Sequence, residues 1–208
     1  FDAHQFLLGA RGRFESSFGR GNFDLRAVYS PGNLSTRNSD GNAAALSGVA
    51  GASSRYIYWY STLQHATPVA KDWSIVHDLT AQWSPSSLPG SEQLSLGGND
   101  SIRGYDTSEA AGDSGAFLRS EIHWDATARI SDHPYAPSHA SLFGFIDYGT
   151  VHNRGRATTS NMASIGIGLK ADFNTRLSLS TNVGVALLDA AATKRGHSGG
   201  NLNINIRF

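Results

Sequence analysis

Residues 165–187 read IGIGLKADFNTRLSLSTNVGVAL, two alternating runs parted by a short break at Asn174-Thr175. In the first run Ile165, Ile167, Leu169, Ala171 and Phe173 oppose Gly166, Gly168, Lys170 and Asp172. In the second, Leu177, Leu179, Thr181, Val183, Val185 and Leu187 oppose Ser178, Ser180, Asn182, Gly184 and Ala186. A strand sends successive side chains to opposite faces, so each run has one apolar face and one small or polar face. The end of the chain repeats the pattern, with Leu202, Ile204, Ile206 and Phe208 alternating with Asn201, Asn203, Asn205 and Arg207.

Working outward, the same period predicts strands near 4–16, 20–30, 55–67, 73–84 with an extension through 91–97, 115–125, 140–149, 161–173, 176–188 and 200–208. That makes about nine strands, many near the ten or so residues that a tilted membrane-crossing strand needs. Short connections are expected near Ser17, Pro68 and Asn174-Thr175, and long ones over 31–54, 98–114, 150–160 and 189–199. Such an alternation of short turns and long loops is the habit of outer-membrane barrels. The connection 126–139 departs from it, being long for the short-turn end.

A soluble antiparallel sandwich also alternates apolar and polar residues, and alternation alone leaves the two folds level. Aromatic placement favours the barrel. Tyr56, Tyr58, Trp59, Tyr60, Trp73, Trp83 and Trp124 lie mostly toward strand ends, as interfacial girdles would. The fold expected is all-β, an antiparallel transmembrane β-barrel.

Composition narrows the function. The 208 residues carry 17 Lys and Arg against 17 Asp and Glu, so no basic surplus points to nucleic acid. No run of about 18 apolar residues exists for a membrane-crossing helix, which leaves a barrel untouched. Cysteine is absent, which fits exported and cytosolic chains alike. No secretory signal is visible, and Phe1 opens in what reads as a strand. Gly112-Asp113-Ser114-Gly115 has the look of a protease nucleophile motif, but no His segment or orienting acid accompanies it. The eight His residues are dispersed without metal-ligand spacing. No catalytic, metal or cofactor residue is therefore assigned.

The long loop carries the most specific signal. Leu94–Glu121 reads LSLGGNDSIRGYDTSEAAGDSGAFLRSE, a polar loop with Ile102-Arg103-Gly104-Tyr105 at its middle. Gly104 allows a tight bend, Tyr105 offers packing area with a polar tip, and Arg103 offers a planar five-donor fork. Such a loop is expected to fold back and dock. Faces can be assigned around it. Phe117, Arg119, Glu121 and His123 share one face of the following strand, opposite Leu118, Ile122 and Trp124. In the next strand Phe143, Phe145, Asp147 and Gly149 oppose Leu142, Gly144, Ile146 and Tyr148. With the apolar sets in lipid, Glu121 and Asp147 face one lumen.

LGGNDSIRGY followed by GDSGAFLRSE, with PGSEQ before and FIDYG after, resembles two-partner secretion transporters of the TpsB or hemolysin-activator type, within the BamA-like superfamily. The resemblance implies a sixteen-stranded barrel behind periplasmic POTRA domains, with the Arg loop between the eleventh and twelfth strands. About four expected strands precede the loop and five follow it. The chain is thus expected to be the C-terminal part of that barrel, 1–208, without the POTRA domains.

The resemblance also implies that loop 98–114 enters the lumen and that Arg103 meets Asp147 with Glu121 close by. Ile102, Gly104 and Tyr105 complete the loop motif, and Phe145, Gly149, Gly112, Asp113 and Gly115 support it. Phe208 resembles the C-terminal signal that the barrel assembly machinery reads. The function implied is export of an unfolded TpsA-type exoprotein, a hemolysin or adhesin, across the Gram-negative outer membrane without ATP. Outer-membrane lipids and that exoprotein are the expected partners. Gly166, Gly168, Ser178, Ser180, Asn182, Gly184, Asn203 and Asn205 are expected to line the passage. The alternatives are a BamA- or TamA-like insertase, the barrel of a fused patatin-like lipase, and a simple porin.

Overall fold

The structure is a computed structural model that describes residues 3–49, 51–130, 135–173 and 176–207. Eleven strands occur in it. These are β1 Phe6–Ser16, β2 Gly19–Pro31, β3 Arg55–Ala70, β4 Trp73–Trp83, β5 Leu94–Leu96, β6 Ala110–Gly112, β7 Ser114–Asp125, β8 His139–Asn153, β9 Thr158–Phe173, β10 Leu177–Ala186 and β11 Ser198–Ile206. Nine of them form one sheet in the order β1-β2-β3-β4-β7-β8-β9-β10-β11, each pair antiparallel. β1 and β11 do not pair with each other, so the sheet stays open.

Period-two patterning becomes two unlike faces. Leu63, Leu79, Leu118 and Tyr148 align across four neighbouring strands, and all are exposed. The same outer face carries exposed Trp59, Trp83, Ile146, Ile165, Ile167 and Val183. A bare apolar face this extensive is normal only where another apolar phase covers it. The inner face holds the buried side chains Thr80, Gln82, Phe143, Phe145, Asp147 and Met162.

What buries the inner face is the chain between β4 and β7. The expected extension of the fourth strand through 91–97 does not occur. β4 ends at Trp83, before Pro85 and Pro89, and a 3-10 turn at Gly90–Glu92 redirects the chain into β5. Proline lacks the N–H that a continuing ladder requires. β5 pairs with β6 as a small hairpin lying off the sheet. Leu94 and Leu96 of β5 pack with Ile102, Tyr105, Val151, Met162 and Ala186 to form the main core. A second cluster joins Leu88 to Val28 and Tyr56.

Other boundaries move too. Pro68 sits inside β3, at a register shift between Pro68 and Ala70, and the turn comes at Lys71-Asp72. A bulge is where a strand tolerates proline. The expected long connection 150–160 shrinks to 154–157, because β8 and β9 stay paired as far as Asn153 and Thr158. Their upper ends bury Val151 and Met162 against the loop core, which rewards the extra length. The connection after β2 contains a helix, α1 Asp40–Ser47, capped by Ser39 at one end and left-handed Gly48 at the other. The break at Asn174-Thr175, residues 131–134 of the 126–139 connection, and Phe208 with its expected assembly role lie outside the described residues.

Candidate functional site

Arg103 is the centre of the inner wall. Its Nε donates to Asp147 Oδ2 at 2.8 Å and its Nη2 donates to Asp147 Oδ1 at 2.7 Å. Its backbone N–H adds a third bond to Asp147 Oδ2 at 3.1 Å, and Nη1 donates to Glu121 Oε1 at 2.5 Å. The side chains of Arg103, Asp147 and Glu121 are 2%, 0% and 6% exposed, so water cannot replace these partners. A fork-on-carboxylate contact fixes direction as well as distance. Once such a pair is buried, removing one member leaves a stranded charge, costing about 3–5 kcal/mol.

Aromatic rings carry the guanidinium. Its central carbon lies 3.5 Å from the Phe145 ring centroid and 5.9 Å from that of Phe143. These rings need room, and glycine provides it. A Cβ on Gly166 would fall 2.3 Å from Phe145 Cζ, and one on Gly168 would fall 2.2 Å from Phe143 Cζ. Gly104 adopts φ +86° and lies flat on β10, where a Cβ on Gly184 would meet the Arg103 carbonyl carbon at 3.1 Å. Gly166, Gly168 and Gly184 are therefore not bare passage lining here. Two accept aromatic rings and one accepts the loop tip. Asn182 is likewise engaged, donating to Asn99 at 2.8 Å.

Glu121 collects further donors that the sequence did not reveal. His123 Nε2 lies 2.7 Å from Glu121 Oε2, and Lys170 Nζ donates to the same oxygen at 3.0 Å. His123 Nδ1 also contacts Ser141 Oγ at 3.0 Å, and its ring stacks on Phe143. Lys170 passes over Phe143 with Nζ 4.7 Å from the ring centroid. Arg119 Nη2 also lies 3.8 Å from Glu121 Oε1, so Arg103, Lys170 and Arg119 face Asp147 and Glu121, three cations against two carboxylates.

The remaining motif residues hold the loop in shape. The Tyr105 hydroxyl lies 2.9 Å from both the Ala163 and the Leu188 carbonyl oxygens. It also accepts from the backbone N–H groups of Ala163 and Leu188. Ile102 is fully buried in the core. Asp113, 0% exposed, accepts from Leu88 N–H at 2.7 Å, Gln93 Nε2 at 3.0 Å and Arg154 N–H at 2.6 Å. It ties three segments to the exit of the loop. Gly112, Gly115 and Gly149 permit close approach, since an added Cβ would lie 3.0 Å or less from His152, Thr150 or Phe117 atoms respectively. Ser114 bonds Ser84 of the neighbouring segment in both directions.

A second clasp lies farther out. Glu109 accepts from Ala192 N–H and Thr193 N–H at 2.7 Å each, and from Thr193 Oγ1 at 2.6 Å. Partial burial pushes its carboxyl upward, but these hydrogen bonds outweigh that and hold it below the usual range. His197 Nδ1 touches the Gly104 carbonyl oxygen at 3.2 Å. Neither contact was foreseen, because each joins loops far apart in the chain.

An antiparallel sheet with an apolar outer face, and an inner wall gripping an inserted loop through one buried arginine, defines part of a β-barrel with a docked internal loop. The chain belongs to the haemolysin secretion/activation protein ShlB/FhaC/HecB family, whose family model matches residues 8–171. A 44-residue stretch is 52% identical to the outer membrane transporter CdiB of Escherichia coli O6:K15:H31, covering 21% of this chain and 8% of that protein. A 68-residue stretch is 34% identical to the outer membrane transporter CdiB of Dickeya dadantii, covering 33% and 12%. Among solved structures, CdiB from Escherichia coli superposes with a TM-score of 0.78 at 21% identity, over 97% of this chain and 36% of that one. CdiB from Acinetobacter baumannii gives 0.67 at 19% identity, over 96% and 32%. The chain therefore spans about a third of these barrel-containing chains.

Proposed function

We propose that the chain forms the C-terminal part of an outer-membrane barrel that exports an unfolded exoprotein of the TpsA type, a hemolysin or adhesin, to the cell surface. In this reading the rest of a sixteen-stranded barrel and the periplasmic POTRA domains belong to the whole protein. The open edge supports that view, since lipid penalises every unpaired backbone group by several kcal/mol. The exposed apolar outer face meets membrane lipid, and assembly machinery places the barrel there.

The observation that carries the reading is Arg103 held against Asp147 and Glu121 on the inner wall. A loop fastened across the lumen by a few strong contacts closes the passage at rest and opens it when they break. No chemical step is needed, so no catalytic residue is assigned. The driving force is folding of the substrate outside the cell rather than ATP. Ser178, Ser180, Asn203 and Asn205 face the lumen with small or polar groups that give a sliding chain few apolar holds.

The test is secretion by the full-length protein co-expressed with its large exoprotein. Arg103→Ala is compared with wild type at matched outer-membrane levels. Export of that one protein should fall while other barrels assemble normally. A general barrel-assembly defect on deletion would favour the insertase alternative, and unchanged export after deletion would overturn the transporter reading.

A further inference from the structure

One dent in the outer face lies over β8, at Gly144. A row of bulky apolar residues crosses the sheet as Ile75, Ile122, Gly144, Ile167 and Val183, register partners on five neighbouring strands. Every member except Gly144 is large. The next row toward the short-turn end runs Trp73, Trp124, Leu142, Leu169 and Thr181. The missing side chain leaves an apolar groove of about 490 Å³, walled by Ile122, Leu142, Ile167 and Val183 and ended by Trp73 and Trp124.

Packing does not demand this glycine. A Cβ on Gly144 would find Ile122 Cγ2 at 3.7 Å and nothing nearer, which is ordinary contact. Gly166, Gly168 and Gly115 are different, because a Cβ at each would collide below 2.5 Å. Nor does Gly144 need a left-handed backbone. Glycine also weakens a strand interior, so an unforced one on an apolar face marks a place where something else comes close.

The groove has a charged end. Trp73 and Trp124 stack with centroids 6.4 Å apart, and the Arg129 guanidinium carbon lies 5.9 Å from the Trp124 ring centroid. Arg129 is exposed, on the short helix Thr127–Ile130 that follows β7. Paired tryptophans with a cation beyond them are what a membrane protein presents at headgroup level. All of this lies at the short-turn end, on interior strands whose neighbours are present.

We infer that this groove is a binding site for a single anionic phospholipid of the inner leaflet, one acyl chain lying over Gly144 and the phosphate reaching Arg129. The inference rests on the outer-membrane reading above. An acyl chain is linear and apolar like the groove, and a cation at a membrane surface favours an anionic headgroup about fivefold.

The test uses the full-length protein in nanodiscs containing a trace of phosphatidylglycerol with a diazirine on one acyl chain. Crosslinked peptides are mapped by mass spectrometry. Adducts should concentrate on 122–124, 142–144 and 167–169, well above those at exposed Leu79, Leu118 and Ile146. Gly144→Leu should remove that excess, and Arg129→Gln should lower it toward the level of a phosphatidylethanolamine probe. Adducts spread evenly over the outer face of the wild type would overturn the site and leave the barrel intact. Absence of adducts from the entire outer face would overturn the membrane reading itself.

Discussion

Substituting Arg103 isolates the contact on which the docked loop depends. Arg103→Ala removes the three side-chain hydrogen bonds to Asp147 and Glu121, and leaves the fully buried Asp147 carboxylate with only the loop backbone N–H as donor from that residue. Stranding a buried charge in this way costs about 3–5 kcal/mol. The open sheet ladder does not depend on Arg103, so the cost falls on docking. An opening equilibrium shifted that far changes by roughly two to three and a half powers of ten, at 1.4 kcal/mol per decade.

Hydrogen–deuterium exchange of peptides covering 97–113 in the full-length protein reads that equilibrium directly. Protection should fall by the same factor, while β2, β3 and β4 peptides keep theirs. Arg103→Lys keeps the charge but loses the fork and the flat contact on Phe145, so it should fall between, at about one to two decades. The double substitution Arg103→Ala with Asp147→Ala should cost less than the two singles summed, because neither partner is then stranded. Loop protection in Arg103→Ala within tenfold of wild type would refute the reasoning and assign docking to the apolar core instead.

Gly166→Ala should displace Phe145 from beneath the guanidinium, since the new methyl would lie 2.3 Å from its ring and 2.1 Å from the Val183 carbonyl oxygen. Overpacking of this kind costs about 1–3 kcal/mol and should appear as a lower melting temperature with faster exchange at 97–113. His123→Ala takes one of three donors from Glu121 and should raise loop exchange by about tenfold or somewhat more, less than Arg103→Ala does. Glu109 gives a pH signature. Its folded pKa is lowered, so its contribution is present above the unfolded value of about 4.3 and is lost as pH falls through the folded one. Exchange in 105–110 and 190–195 should therefore rise only below about pH 4.3, and Glu109→Gln should remove that dependence.

Much of the sheet was legible because alternation is a property of each strand alone. The sheet strands lie within a few residues of the expected ranges, apart from β4, whose expected extension through 91–97 does not form, and β8 and β9, which run on as a paired arm. What extends them is burial of Val151 and Met162 against a distant loop, which no local pattern announces. Helix α1 was missed because it buries only Ala43 and so has no apolar stripe, although Ser39 and Gly48 mark its ends. At the site, placing Glu121 and Asp147 on one face followed from parity. The approach of Lys170 did not, since its register partner on β8 is Ser141 and it reaches Glu121 diagonally over Phe143.

The Tyr105 hydroxyl has a consequence beyond its own loop. β10 ends at Ala186, and just past it the hydroxyl bridges the backbones of Ala163 and Leu188, meeting a carbonyl and an N–H of each. A side chain there does the work of a peptide group, closing a seam between two wall segments as an end stop closes a zip. If the loop withdraws, that seam loses its stop. The Leu187 N–H to Ala163 carbonyl bond then becomes the last tie between the two segments, and the wall should fray from Leu188 onward.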